Sequence, residues 1–168
     1  WTGANLALAI GLVILSLSKT ANDLPARVLG NTLLVLTTAL YYLAIQRLLG
    51  DKPSKRLAIA TVAASGIVFA LLWASAAPYR LAVGALSIAL MVLTGLCAAR
   101  LLLPLTAEKP VSHRFTGLLF LLGCTLMTVR LGHAMFAVAP PANLFAPDFW
   151  HGMILGGTVI SYVFWNAG

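Results

Sequence analysis

The sequence predicts an all-α, polytopic transmembrane helix bundle. Three observations predict it: an apolar composition, long unbroken apolar runs, and an uneven placement of Lys and Arg. Of 168 residues, 61% are hydrophobic and only 9% charged, and the mean hydropathy is +0.97. A water-soluble domain carries about 25% charged residues. This chain lacks the polar groups to cover its surface in water, so its apolar surface must face lipid.

A helix needs about 20 mostly apolar residues to cross a bilayer. Six runs meet or approach that length, roughly 3–19, 27–48, 56–77, 79–103, 114–138 and 149–167. The first is short. All six are continuous and lack a period-2 alternation, which favours helices over barrel strands. The connectors carry turn chemistry: Asn22, Asp23 and Pro25 in the first, Gly50-Asp51-Lys52-Pro53-Ser54 in the second, and Pro78 in a tight third. A longer link runs from Pro104 to Pro110, and the last holds Pro140, Pro141 and Pro147. Proline removes a backbone donor, which a bilayer tolerates best at its interface. The 168 residues form a single transmembrane domain. The chain opens at Trp1 with no Met and no signal-peptide pattern. It closes on Asn166-Ala167-Gly168 without a polar tail. Both ends read as cuts in a longer protein.

The net charge of +7 comes from 11 Lys and Arg against 4 Asp and Glu. Nucleic-acid binding would need these cations as a patch on a polar surface. They lie instead between apolar runs, as topology determinants do. Arg47, Lys52, Lys55 and Arg56 flank the second link, and Arg100, Lys109 and Arg114 flank the fourth. The opposite side has Lys19, Arg27 and Arg80. The positive-inside rule places the side with seven cations in the cytoplasm, together with both ends of the segment. Trp1, Trp73, Tyr79, Trp150 and Trp165 sit near span ends, as aromatic belt residues do. Cys97 and Cys124 lie inside apolar runs without metal-ligand or disulfide spacing and read as small buried hydrophobes. Ala7 and Gly11, Ala60 and Ala64, and Gly152 and Gly156 are small-xxx-small pairs suited to close helix contacts. No internal repeat of the transporter kind is visible.

Arg130 is the most informative residue. It lies about eight residues before the outer end of its span, or about 12 Å deep. A charge at that depth is costly and points to function. His133 follows by three residues on the same face, and His151 opens the last span from the same side. Asn31 and Thr32 lie in the outer half of the second span. Together with Asp148, these groups define a candidate outward-facing ligand site: Arg130, His133, His151, Asn31 and Asp148. The four acids, Asp23, Asp51, Glu108 and Asp148, all lie in links, so a bound carboxylate or lipid headgroup would balance Arg130. The competing reading is that Arg130 extends outward to the interface or pairs with Asp148 or Asp23.

Metal chemistry has a weaker basis. His133-Ala134-Met135 and His151-Gly152-Met153 offer imidazole and thioether, which suit copper. Residues two apart on a helix point about 200° apart, however, so neither pair chelates as it stands. Bis-His heme ligation by His133 and His151 is the other metal reading. Intramembrane His more often hydrogen-bonds a neighbouring helix, so no metal and no cofactor is assigned. No HExxH, GxSxG or Walker A sequence occurs, and no catalytic residue is assigned. Ser and Thr in the spans are expected to bond back to their own helix. His113 beside Arg114 reads as a lipid-headgroup contact.

Three stretches carry a family resemblance. They are Trp1-Thr2-Gly3-Ala4-Asn5-Leu6 through Leu15, the run Leu24-Pro25-Ala26-Arg27-Val28-Leu29-Gly30-Asn31-Thr32-Leu33-Leu34, and Tyr41-Tyr42-Leu43-Ala44-Ile45-Gln46-Arg47-Leu48-Leu49-Gly50. This pattern resembles the membrane sensor region of bacterial GGDEF-type diguanylate cyclases. The likeness covers most of the chain in hydropathy layout and about the first third in residues. It implies a seven-helix sensor in the bacterial inner membrane, of which this segment supplies helices two to seven. It also implies a cytoplasmic cyclase beyond the last helix. No Gly-Gly-Asp-Glu-Phe motif is present here, so no cyclase residue is carried over. The function expected is that of a membrane-embedded input module. It would respond to an anionic or lipid-like small molecule, act as a homodimer, and need no nucleic acid. A transporter or channel is the alternative, but the polar groups cluster in the outer half rather than forming a continuous path. A heme- or copper-binding membrane protein is the third class, which an optical spectrum would reveal.

Overall fold

The computed structural model describes residues 1–17, 24–75, 78–103 and 110–136. These residues form five α-helices and no strand: α1 (Thr2–Leu17), α2 (Leu24–Leu48), α3 (Lys55–Ala74), α4 (Tyr79–Leu102) and α5 (Val111–Phe136). Four of them, α2 to α5, are long and apolar enough to cross a membrane. The expectation of six spans is met only in part. At 16 residues α1 rises about 24 Å, less than the roughly 30 Å hydrocarbon core. The sixth predicted span, 149–167, lies outside the described residues.

The helix ends differ from expectation where local chemistry overrides composition. Pro25, expected in a connector, lies in the first turn of α2, which opens at Leu24. A first-turn proline gives up an N–H that had no helical acceptor in any case. Arg27, expected as the first residue of the span, lies one turn inside the helix. Pro78 caps α4, accepting a backbone bond from Leu81 at 2.8 Å.

The order of packing follows from which helix faces are covered. Half of the apolar window of α2 and 56% of that of α4 are buried, against 33% for α5 and 11% for α3. The α2 and α4 helices are therefore the centre. Among the described residues, the backbone of α1 lies against that of α2, that of α3 against α2 and α4, and that of α5 against α4. Two apolar clusters bind these layers. One gathers Ala4, Tyr41, Tyr42, Ile45, Cys97, Ala98, Leu101 and Phe120 at the end near the Gly50 link. The other gathers Val35, Ala39, Ala58, Phe69, Leu86, Leu90, Leu93 and Met127 further along. The apolar surface of α3, including Ile59, Ile67 and Leu71, faces outward, as a lipid-contacting helix requires.

The small-residue pairs behave unequally. Ala7 and Gly11 lie on the buried stripe of α1, where Gly11 opposes Gly30 of α2. A Cβ on Gly30 would fall 2.5 Å from the Leu15 side chain and 3.3 Å from the Gly11 carbonyl oxygen. The two backbones can approach this closely only because neither glycine carries a side chain. Ala60 and Ala64 are exposed on α3 and take no part in packing among the described helices. Gly152 and Gly156 lie outside the described residues.

The α2–α3 link is tightly specified. Gly50 adopts φ +77°, the left-handed conformation that only glycine reaches without a Cβ penalty. Its N–H bonds to the Arg47 carbonyl at 3.1 Å, and the Asp51 N–H to the Gln46 carbonyl at 2.8 Å. That pair is the Schellman closure of a helix C-terminus. The Gln46 side chain, 1% exposed, then joins the next helix. Its Nε2 donates to Ser54 Oγ at 3.1 Å, and its Oε1 accepts from the Ser54 N–H at 2.8 Å. Gln46→Leu is expected to cost about 1–3 kcal/mol, because it strands a partly buried Ser54 donor. The readout is the unfolding midpoint in a reversible detergent titration, and an unchanged midpoint would show that this clasp does not hold the link.

Candidate functional site

The α5 residues Thr116, Gly117, Phe120, Gly123, Met127 and Arg130 are buried. Their spacing of three and four draws one stripe down the helix, on which Phe120 contacts Tyr41 of α2 and Met127 joins the cluster of Val35, Leu86 and Leu90. Arg130 therefore belongs to the packed face. Its residual exposure of 9% means that the side chain is not splayed over the lipid-facing surface. It lies six residues before the end of α5 at Phe136, about 9 Å along the axis. A cation buried at that depth carries a desolvation cost, which makes it the chief functional candidate in the helices.

The antiparallel register of α4 and α5 sets the surroundings of Arg130. A Cβ on Gly95 would meet Cys124 Sγ at 3.5 Å, and one on Gly84 would meet the Leu131 and Met135 side chains. Arg130 is thus level with the stretch of α4 just after Ser87. The parallel register of α2 and α4, with Val35 and Ala39 beside Leu86, Leu90 and Leu93, brings Asn31 to about the same level. Asn31 is 8% exposed and Ser87 fully buried. Three buried polar side chains on three helices therefore fall within about one turn of each other in depth. The α2 and α5 helices meet through side chains, with the Tyr41 and Phe120 rings 6.1 Å apart and Met127 in one cluster with Val35 and Ala39.

The remaining predicted site residues divide. His133 is partly buried in the last turn of α5, one turn beyond Arg130. Asp148 and His151 lie outside the described residues, as does Asp23. Met135, considered as a soft ligand beside His133, places its terminal methyl 2.6 Å from where a Gly84 Cβ would be. It fills the space left by that glycine. Among the described residues no group of three His, Cys, Asp or Glu side chains comes together.

Most buried hydroxyls are satisfied within their own helices. Thr37 donates to the Leu33 carbonyl at 2.9 Å, Ser87 to Val83 at 2.8 Å and Thr94 to Leu90 at 2.7 Å. These are the back-bonds expected from composition. Two further polar junctions join separate helices. The Tyr41 hydroxyl donates to Asn5 Oδ1 across α1 and α2. The Tyr41 ring also lies 4.9 Å from that of Trp1 and 6.1 Å, edge to face, from that of Phe120. At the other end the Arg27 guanidinium sits 5.1 Å above the Trp73 ring. The Trp73 indole N–H is buried and meets no hydrogen-bond acceptor among the described residues. Trp1 and Trp73 read from sequence as belt residues alone. Their aromatic contacts join positions 36 or more residues apart, which no local pattern encodes.

The comparisons with known proteins add no identity to this geometry. No family model, no curated protein and no solved structure matches the chain.

Proposed function

We propose that the chain is a membrane-embedded input module that regulates a cytoplasmic signalling domain, as in the bacterial diguanylate cyclases whose sensor region it resembles. The single observation that carries this reading is the burial of Arg130 on the packed stripe of α5, level with Ser87 and Asn31. A fixed cation among polar groups in an otherwise apolar bundle suits a carboxylate or lipid-like anion. Such a ligand alters output only if it binds two packing arrangements of the helices with different affinity. In this reading the chain sits in the bacterial inner membrane with six spans. Both ends are cytoplasmic, a seventh span precedes Trp1, and a homodimer carries the signal.

The test measures cellular cyclic di-GMP in bacteria expressing the full-length protein while a series of small carboxylates is supplied outside. Arg130→Ala is expected to abolish any carboxylate-dependent change, and Arg130→Lys to retain a weakened one, because Lys offers a point charge without the planar fork. A response profile of Arg130→Ala identical to that of the wild type would sink the proposal. So would carboxylate flux through liposomes containing the purified chain.

A further inference from the structure

We propose that the bundle end formed by the Gly50–Ser54 link and the first turn of α3 binds the phosphate of an anionic phospholipid through Lys52, Lys55 and Arg56. This inference is independent of the sensor reading. Six cations lie at this end among the described residues: Arg47, Lys52, Lys55, Arg56, Arg100 and Arg114, all exposed. The one described carboxylate here, Asp51, is engaged by Arg100 of α4 at 3.3 Å. Lys52, Lys55 and Arg56 have no ion pair among the described residues.

The backbone strengthens the attraction at the same place. Ser54 caps α3 without a side-chain bond to the helix; its Oγ accepts from Gln46 Nε2 and its N–H donates to Gln46 Oε1. The first helical bond runs from the Ala58 N–H to the Ser54 carbonyl. The N–H groups of Arg56 and Leu57 therefore precede the helical ladder and face out of the helix end. The first turn holds no acidic residue, so its own side chains do not answer the positive end of the helix dipole. Donors, dipole and three cations together suit a phosphate.

The continuation of this surface selects a lipid rather than a free ion. Directly beyond Lys55 and Arg56, α3 presents an outward apolar face. Ile59 is 68% exposed, Ile67 61% and Leu71 64%, and only 11% of the apolar window is buried. A phosphate held at the helix end would lay its acyl chains along this face. A cationic rim continuous with an apolar flank complements an amphiphile with an anionic head.

The experiment uses the purified protein in mild detergent and counts bound lipid by native mass spectrometry. The probes are phosphatidylglycerol and phosphatidylcholine, with inorganic phosphate as competitor. The K52Q/K55Q/R56Q variant is expected to bind phosphatidylglycerol at least about tenfold more weakly, since each cation near an anionic surface contributes roughly a fivefold factor. Phosphatidylcholine binding should be unchanged in that variant. R80Q, which removes an exposed cation from the far end, should bind both lipids as the wild type does. The charge-retaining K52R/K55R/R56K variant should bind phosphatidylglycerol like the wild type, which guards against misfolding of the neutral form. Wild-type phosphatidylglycerol binding by K52Q/K55Q/R56Q would overturn the proposal, as would an equal loss of both lipids. Displacement of phosphatidylglycerol by inorganic phosphate at low concentration would overturn the lipid assignment.

Discussion

Gly30→Leu is expected to detach α1 from the rest of the bundle. The added Cβ alone would stand 2.5 and 2.7 Å from two atoms of Leu15, with the Gly11 carbonyl oxygen 3.3 Å behind it. Leu15 could rotate aside, but the Gly11 backbone could not, and the remaining atoms of the new leucine would force the helices apart. Overpacking of this kind costs about 1–3 kcal/mol, and the rigid backbone puts this site at the upper end. The loss falls on a helix whose backbone packs only on α2 among the described residues. The readouts are the unfolding midpoint in a reversible detergent titration and the fluorescence of Trp1, which stacks near Tyr41. Gly132→Leu is the control, because a Cβ there meets nothing within 4 Å. Equal destabilisation by the two substitutions would show that the close approach of α1 and α2 does not set the cost.

The second large effect is expected at Tyr41, which is fully buried. Its hydroxyl reaches Asn5 of α1, and its ring contacts Trp1 and Phe120 of α5. It therefore ties α1, α2 and α5 together through one side chain. Tyr41→Ala is expected to cost about 3 kcal/mol, near the lower end for an aromatic truncation. The lower end applies because lipid supplies little hydrophobic drive between helices, so the loss is mainly of packing. Tyr41→Phe keeps the ring and removes one interhelical hydrogen bond, worth about 0.6 kcal/mol in a membrane protein. The two midpoints should separate clearly. If Tyr41→Phe fell as far as Tyr41→Ala, the hydroxyl and not the ring would be the tie.

The helices were legible in the sequence because lipid demands long apolar runs, and runs are local. The bounds expected for α3 and α4 lie within three residues of those found, since Pro53 and Pro78 punctuate the chain beside them. The start of α2 lies three residues before the one expected, because Pro25 reads as a breaker unless its first-turn tolerance is taken into account. The buried face of each helix was less legible. In a soluble protein the polar side marks the surface, whereas here both sides are apolar and composition does not separate lipid from core. Hence Ala7 and Gly11 and the exposed pair Ala60 and Ala64 looked equivalent, and only the packing of α1 on α2 distinguishes them. Arg130 stood out in the sequence as a charge within an apolar run, but its direction depended on the stripe it shares with Met127 and Gly123. Ser87 gave no signal, because a serine in a span is ordinary. The clasp from Gln46 to Ser54 was hidden for another reason. It depends on the left-handed turn at Gly50 returning the chain on itself, which residue types alone do not reveal.

The attachment of α5 has a mechanical consequence. Its backbone meets α4 alone among the described helices, and its edge-on ring contact with Tyr41 comes from Phe120, ten residues before Arg130. That contact can serve as a fulcrum. The arm from Phe120 to Arg130 measures about 15 Å, so a 10° tilt of α5 would carry the Arg130 level through roughly 2.6 Å. The residues around Phe120 would hardly move. A change in the angle of α5 would therefore be felt at the Arg130 level and hardly at all around Phe120.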